Sequence, residues 1–380
     1  MKLLHLSDLH LGKRLRECSL LEDQRHILGE ILRIAREESP DGALLAGDVF
    51  DKSSPSAEAV ALCDEFLTAL SALVPHVFVL AGNHDSPERL AFGGRLMERS
   101  GVHISPVYGG TLAPVALSDA FGPVYVWLLP FLKPAQVRRF FPDTEIASES
   151  DAVRAALAGL PLDPAARNVL AAHQFVAGGV RCESEELSVG GSGGVDAALF
   201  DAFDYVALGH LHGPQRVGRD TLRYCGSPLK YSFSEARQHK SVTVVELAEK
   251  GSVTVRTVPL PPLREVWELR GTYLELTARS FYEGTSYQED YVHITLTDEE
   301  DVPEAMGRLR AVYHNLLKLD YDNTRTRTGG GLPQPEEAEA VSPLALFARF
   351  YEARNGKPMN GAQRELVQSL MEEIWGVDVS

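Results

Sequence analysis

Long apolar runs are missing from this chain: no stretch approaches the ~20 residues that a membrane-spanning helix needs, so nothing in it predicts a bilayer protein. Cysteine is scarce. The four present (Cys18, Cys63, Cys182 and Cys225) lie far apart with no CxxC pair, which argues for reduced thiols and against a disulfide frame or a zinc knuckle. The N-terminus offers a single basic residue, Lys2, before a strand-like run and lacks the pattern of a signal peptide, so a cytoplasmic protein is expected. Positive charge is also short. The formal net charge is −16, and residues 280–304 contain no Lys or Arg. Affinity for nucleic acid comes largely from cationic neutralisation of phosphates, so the sum alone favours a small or neutral substrate. Divalent cations and local basic clusters would weigh the other way, the clusters being Lys13, Arg14 and Arg16, then Lys133, Arg138 and Arg139, then Arg216, Arg219 and Arg223, then Lys230, Arg237 and Lys240.

What is present is a recurring short apolar run, at 3–6, 43–46, 77–81, 124–129, 169–172 and 205–208. Each has strand length, is rich in Leu, Val or aromatics, and shows little alternation, as in strands buried on both faces. Helical patterns at 23–38 and 56–73 lie between them, and 242–247 with 253–258 read as a hairpin across Lys250-Gly251. The prediction is an α/β body of packed sheets flanked by helices. Pro259, Pro261 and Pro262 then interrupt the pattern. Beyond them a small α+β unit is expected from 267–276, a strand at 291–296 and a helix at 302–317. Residues 323–341, with Gly329-Gly330-Gly331, read as a flexible linker, followed by amphipathic helices from Ser342-Pro343 and from about Asn360 to Trp375. The boundaries therefore fall at 1–262, 263–322, 323–341 and 342–380. Two helices on a tether rarely fold alone and are expected to dock on a partner.

Five of the runs lead straight into metal-ligand residue types: Asp8-Leu9-His10, Gly47-Asp48-Val49-Phe50-Asp51, Gly82-Asn83-His84-Asp85, His173-Gln174 and Gly209-His210-Leu211-His212. Ligands at the carboxyl ends of neighbouring strands converge on one rim. Each segment alone is a weak signal, since a His after a strand is usually a packing residue and Gly-Asn is ordinary turn chemistry. The ordered set is what points to a metal centre. Mixed oxygen and nitrogen ligands suit manganese, iron or zinc better than calcium, and the lack of cysteine in the set argues against structural zinc. His5, His26, His76, His103, His239, His293 and His314 lack this context and read as structural or surface residues.

The series D-x-H, GD-x-x-D, GNH-D, H and GH-x-H resembles the calcineurin-like metallophosphoesterase superfamily. That resemblance implies a four-layer αββα sandwich holding two divalent metal ions per chain. Carried over by position, Asp8, His10 and His212 would hold one ion, Asn83, His173 and His210 the other, and Asp48 would bridge both. Such a pair activates water and clamps the phosphoryl oxygens for an in-line displacement. The resemblance also implies His84 as general acid for the leaving oxygen, with Asp51 orienting and charging its imidazole. Asp85 reads instead as a helix N-cap before Pro87. Lys52 after Asp51, and Asp at position 85, depart from the Ser/Thr phosphatase pattern.

Further segments narrow the resemblance: His173-Gln174-Phe175-Val176-Ala177-Gly178-Gly179, the run from Phe203 to His212, Tyr224-Cys225-Gly226-Ser227-Pro228 and Ser342-Pro343-Leu344-Ala345-Leu346-Phe347. They resemble the nuclease subunits of bacterial SbcCD double-strand-break complexes, the SbcD family, along essentially the whole chain. This implies a homodimeric DNA nuclease using manganese, with magnesium the second choice. It would act as an exonuclease on duplex ends and as an endonuclease on hairpins and single strands. The implied partner is the SMC-like ATPase SbcC, bound through the C-terminal helices within a heterotetramer, with 263–322 as a cap domain. The alternative is a metallophosphoesterase acting on small phosphomonoesters or cyclic nucleotides. A non-catalytic adaptor is disfavoured by the intact ligand series.

Overall fold

The computed structural model describes residues 1–183, 185, 194–327 and 342–375. Most of the linker expected at 323–341, namely 328–341, lies outside them. The chain divides into two units, Met1–Val266 and Trp267–Ser380.

The first unit is built on two six-stranded sheets. One is ordered Val253–Pro259, Ser241–Leu247, Lys2–Leu6, Gly42–Ala46, His76–Leu80, Val102–Ile104. Its last four strands are mutually parallel, and the hairpin adds antiparallel to Lys2–Leu6. The other is ordered Gln215–Val217, Arg219–Tyr224, Tyr205–Gly209, Arg167–His173, Gly122–Leu129, Val115–Asp119, parallel through its middle. The apolar runs without alternation have the predicted cause, because each central strand is covered on both faces. Leu3, Leu44, Phe78, Val126, Val169, Ala207 and Val245 pack between the sheets. Outside the first sheet lie the helices Leu21–Glu38 and Ala57–Ser71, whose buried faces include Ile27, Ile31, Ile34, Phe66 and Leu70. Outside the second lie Glu149–Ala158 and Pro134–Arg138, seated on Trp127, Leu129 and Leu170. This is the four-layer αββα arrangement.

The second unit has a three-stranded sheet, ordered Val266–Gly271, Tyr291–Leu296, Asn315–Tyr321, over a core of Leu276, Ile294, Leu309 and Tyr313. Here one expectation fails. The helix read over 302–317 is a short helix, Ala305–Arg310, and the strand Asn315–Tyr321 follows. Leu309, Val312, Tyr313 and Leu316 fall at helical spacing, but from Asn315 onward the backbone pairs in parallel with Tyr291–Leu296 and completes the sheet. Sheet pairing outweighs a weak local preference. The tail helices are Pro343–Asn355, capped by Ser342, and Gly361–Trp375. No helix among the described residues is long and apolar enough to cross a membrane.

Candidate metal centre

The parallel strands of both sheets release their chains at one rim, and the loops there are unusually close. Asp8 N–H donates to Gly47 O (3.0 Å) and His10 N–H to Asp48 O (2.9 Å), so the first two loops run side by side past the sheet. The sheets are stitched where His173 Nδ1 meets the carbonyl of Ala46 at 2.8 Å. Glycine is required at these crossings. A Cβ on Gly209 would lie 1.8 Å from Ala46 O, and one on Gly82 would lie 2.1 Å from Asp48 Oδ1. The backbone also bends where side chains usually forbid it: Asp8 (φ 53°), His10 (44°), Asp48 (49°) and His210 (108°) all have positive φ. Asp and His tolerate this region better than most residues, yet each instance costs of order 1 kcal/mol or more. Such strain persists because these turns aim the four side chains inward.

All the residues expected as ligands come together. His173 Nε2 lies 3.3 Å from Asp48 Oδ2, and His10 Nε2 lies 3.7 Å from the same oxygen. Asn83 Oδ1 is 3.0 Å from both His173 Nε2 and His210 Nδ1. His10 Nε2 and His212 Nε2 face each other at 3.1 Å. The potential ligand atoms of Asp8, His10 and His212 lie within 4.8 Å of one another, as do those of Asp8, Asp48 and His173. Asp48 thus stands between the two triplets expected from the sequence. The same closeness holds for His10, Asp48 and His84.

The donor set fits divalent cations on electrostatic grounds. Asp8 is pushed up to about 6 by burial, against the pull of His173 and His212. Burial would also raise Asp48, but the imidazoles of His173, His10 and His84 hold it well below the usual carboxylate range. Burial pushes His210 down to about 3 and His10 well below an ordinary imidazole. His173 moves the other way, to about 9, because Asp48 and Asp8 outweigh its burial. The two carboxylates therefore favour positive charge at this spot. Oxygens and imidazole nitrogens pointing at one another in a buried cluster are what a mixed-ligand cation site requires.

His84 is set apart. Its side chain keeps 17% of its surface exposed, against 0–3% for His10, His173, Asp8, Asp48 and His212. Its Nδ1 lies 2.9 Å from the main-chain carbonyl of Asp51. A carbonyl can only accept, so Nδ1 carries hydrogen and Nε2 turns to the centre, 4.0 Å from Asp48 Oδ2. This corrects the expectation for Asp51. Its carbonyl, not its carboxylate, orients His84, because the carboxylate is taken by Lys13 Nζ at 2.7 Å and also lies 3.7 Å from His10 Nδ1. Asp85 is corrected as well. Ser86 caps the short helix Pro87–Leu90, while Asp85 is buried and accepts the N–H groups of Val49, Phe50 and Gly82 at 2.9–3.1 Å. It ties the Asp48 loop to the Asn83 loop. Adjacency to His84 was the available signal for it. Glu235 and Lys240, which lie behind His212, gave no such signal as metal-site residues, since neither follows a strand into a ligand motif.

Residues 1–214 match the family described as Calcineurin-like phosphoesterase, and residues 262–355 match the one described as Type 5 capsule protein repressor C-terminal domain. Two curated proteins, each named as the SbcD component of the SbcCD nuclease, align along the whole chain. That of Staphylococcus saprophyticus subsp. saprophyticus is 31% identical over 376 residues, covering 98% of this chain and 98% of its own. That of Staphylococcus epidermidis is 34% identical over 381 residues, covering 98% of this chain and 99% of its own. The chain belongs to the SbcD family. As an SbcD-family calcineurin-like phosphoesterase it is a metal-dependent phosphodiesterase, and the clustered carboxylates and imidazoles lie within the matched domain. A solved dimetal phosphatase from Danio rerio aligns with 68% of this chain and 98% of its own at 11% identity and a TM-score of 0.42.

Proposed function

We propose that this SbcD-family chain is a DNA nuclease whose centre takes two divalent cations, manganese for preference and magnesium second. Asp8, His10 and His212 would hold one, Asn83, His173 and His210 the other, with Asp48 shared. The observation that carries this reading is the position of Asp48, whose Oδ2 faces both His10 and His173. When bound, the cations supply Lewis-acid activation of water and of the phosphoryl oxygens. The chain's own residues do the rest. Burial of Asp8, Asp48 and the imidazoles excludes bulk water and lowers the local dielectric, which strengthens every charge interaction with a phosphodiester. His84, fixed through Nδ1 by the Asp51 carbonyl, would present Nε2 to the departing sugar oxygen; as the imidazolium it would pass its Nε2 proton there and be left neutral, with its remaining hydrogen on Nδ1.

Both relatives are named as the SbcD component of SbcCD, and on that ground the reading extends to the partner. The chain would work with the SMC-like ATPase SbcC in the cytoplasm, cutting duplex ends as an exonuclease and hairpins and single strands as an endonuclease. Residues 1–262 would be the nuclease domain, 263–322 the cap, 323–341 a linker and 342–380 the ATPase-binding helices. Leu366 and Leu370 are 61% and 47% exposed on the second tail helix, which supports a missing apolar partner there. Homodimerisation is supported by a surface of the first unit. A mostly apolar groove of about 630 Å³ beside the helix Ala57–Ser71 is lined by Val60, Leu67, Phe92 and Met97, and Phe92 is 84% exposed.

The net charge of −16 favours the second reading, a hydrolase of small phosphoesters. The deciding experiment incubates the purified chain and Mn²⁺ with labelled hairpin, blunt duplex and single-stranded DNA, with and without the ATPase, beside a chromogenic phosphomonoester. Cleavage of hairpin and single strand supports the nuclease. Turnover of the chromogenic ester alone supports the rival.

A further inference from the structure

Behind the metal centre lies a buried ion pair that the mechanism does not use. Glu235, in the single turn Phe233–Glu235, is fully buried, and Lys240 is 7% exposed. Their charged atoms meet at 2.6 Å. Burying both members of an ion pair seldom adds net stability, because desolvation offsets the attraction. The pair is instead arranged around one ligand. Glu235 Oε1 is 3.4 Å from His212 Nδ1. Lys240 Nζ donates to the carbonyl of His212 at 2.8 Å, and the N–H of Ser227 donates to the same carbonyl at 3.1 Å. Ser227 Oγ accepts from Lys240 at 2.9 Å, which braces the cluster. From the far side, His212 N–H donates to Glu185 Oε1 at 2.6 Å. The backbone of His212 is thus gripped at both ends and its ring at Nδ1, which leaves Nε2 turned toward His10 at 3.1 Å.

We propose that Glu235, held in place by Lys240, is the positioning residue of the metal centre: it takes the Nδ1 hydrogen of His212, so the ring is locked in the tautomer whose bare Nε2 faces the cation held with Asp8 and His10. This inference rests on the two-cation reading above. A carboxylate behind an imidazole ligand fixes the ring's rotation and raises the basicity of the ligating nitrogen, and removing one typically weakens metal affinity by about 10–100-fold. The Asn83, His173 and His210 side has no such dependence on Glu235, so the effect is confined to one of two ions.

The test is a calorimetric titration of Mn²⁺ into the metal-free full-length chain, comparing wild type with Glu235→Gln and with the double variant E235L/K240M. The double variant removes both charges together and leaves no unpaired ion, so it covers the case in which the single variant fails to fold. The expected result is that one Mn²⁺ site weakens about 10–100-fold in each folded variant while the other keeps its affinity. The melting temperature of the double variant in EDTA stays near that of wild type. Two sites of unchanged affinity in either folded variant overturn the inference and leave the two-cation reading intact. Failure of both variants to fold also overturns it, since the pair is then a stability element. A wild-type chain that takes up fewer than two ions overturns the underlying reading instead.

Discussion

Replacing His84 with alanine removes the one imidazole of the centre that presents Nε2 from a partly exposed position while Nδ1 is fixed by a backbone carbonyl. If its role is to protonate the leaving oxygen, the loss on DNA is that of a general acid, about 10²–10⁴-fold in the cleavage step. That corresponds to about 3–5 kcal/mol of transition-state stabilisation. The substrate then decides between roles. A deoxyribose alkoxide is a poor leaving group that needs the proton, whereas a nitrophenolate leaves without one. His84→Ala is therefore expected to lose less than about tenfold on bis(p-nitrophenyl) phosphate while losing at least about 10²-fold on single-stranded DNA. Both rates are measured under single-turnover conditions at saturating Mn²⁺, with metal content measured on the same sample. The close grouping of His84 with His10 and Asp48 makes the metal measurement essential. An equal loss on both substrates, together with a missing ion, would refute the acid role and make His84 a ligand.

Three further outcomes are expected. Gly82→Ala places a Cβ 2.1 Å from Asp48 Oδ1 and 2.4 Å from its backbone N, so Asp48 must move, and DNA cleavage should fall by about 10²-fold or more; near wild-type cleavage would show that Asp48 is not held as described. In the second sheet, buried Arg167 pairs with Asp119 at 2.5 and 3.0 Å, and Asp119→Ala should cost about 3 kcal/mol in urea unfolding at pH 7 in EDTA. The hydrogen bond from Arg167 holds the Asp119 carboxyl well below its ordinary range. Its stabilisation is thus complete above the unfolded value of ~3.9 and lost as pH falls through the lower folded value. The gap between wild type and variant should therefore narrow below about pH 3, and a gap that widens in acid would contradict the assignment. Finally, Leu366→Asp with Leu370→Asp should abolish co-purification with the ATPase while single-strand cleavage by the isolated chain persists; retained co-purification would move the partner interface elsewhere.

The central strands were legible because burial on both faces removes alternation, and the ligand loops because each strand ran directly into Asp, Asn or His. What the sequence concealed were contacts made across the chain. Leu309, Val312, Tyr313 and Leu316 carry a helical spacing into the strand Asn315–Tyr321, whose pairing with Tyr291–Leu296 is visible only once the sheet exists. The carbonyl that orients His84 belongs to the residue whose carboxylate drew attention, and a backbone atom leaves no mark in a motif. Asp85 looked like a cap because Ser86-Pro87 follows it, yet its carboxylate is spent on three N–H groups of two loops. Glu235 reaches His212 from 23 residues away through a single turn that carries no ligand motif.

The most direct measurement is the Mn²⁺ stoichiometry of the metal-free chain, wild type against Asp48→Asn, read by equilibrium dialysis with metal analysis. Two ions per wild-type chain are expected, with weakened uptake of both in the variant, because a single carboxylate oxygen faces His10 on one side and His173 on the other. A wild-type chain that saturates with one ion, or a variant that still binds two at full affinity, would contradict a shared Asp48.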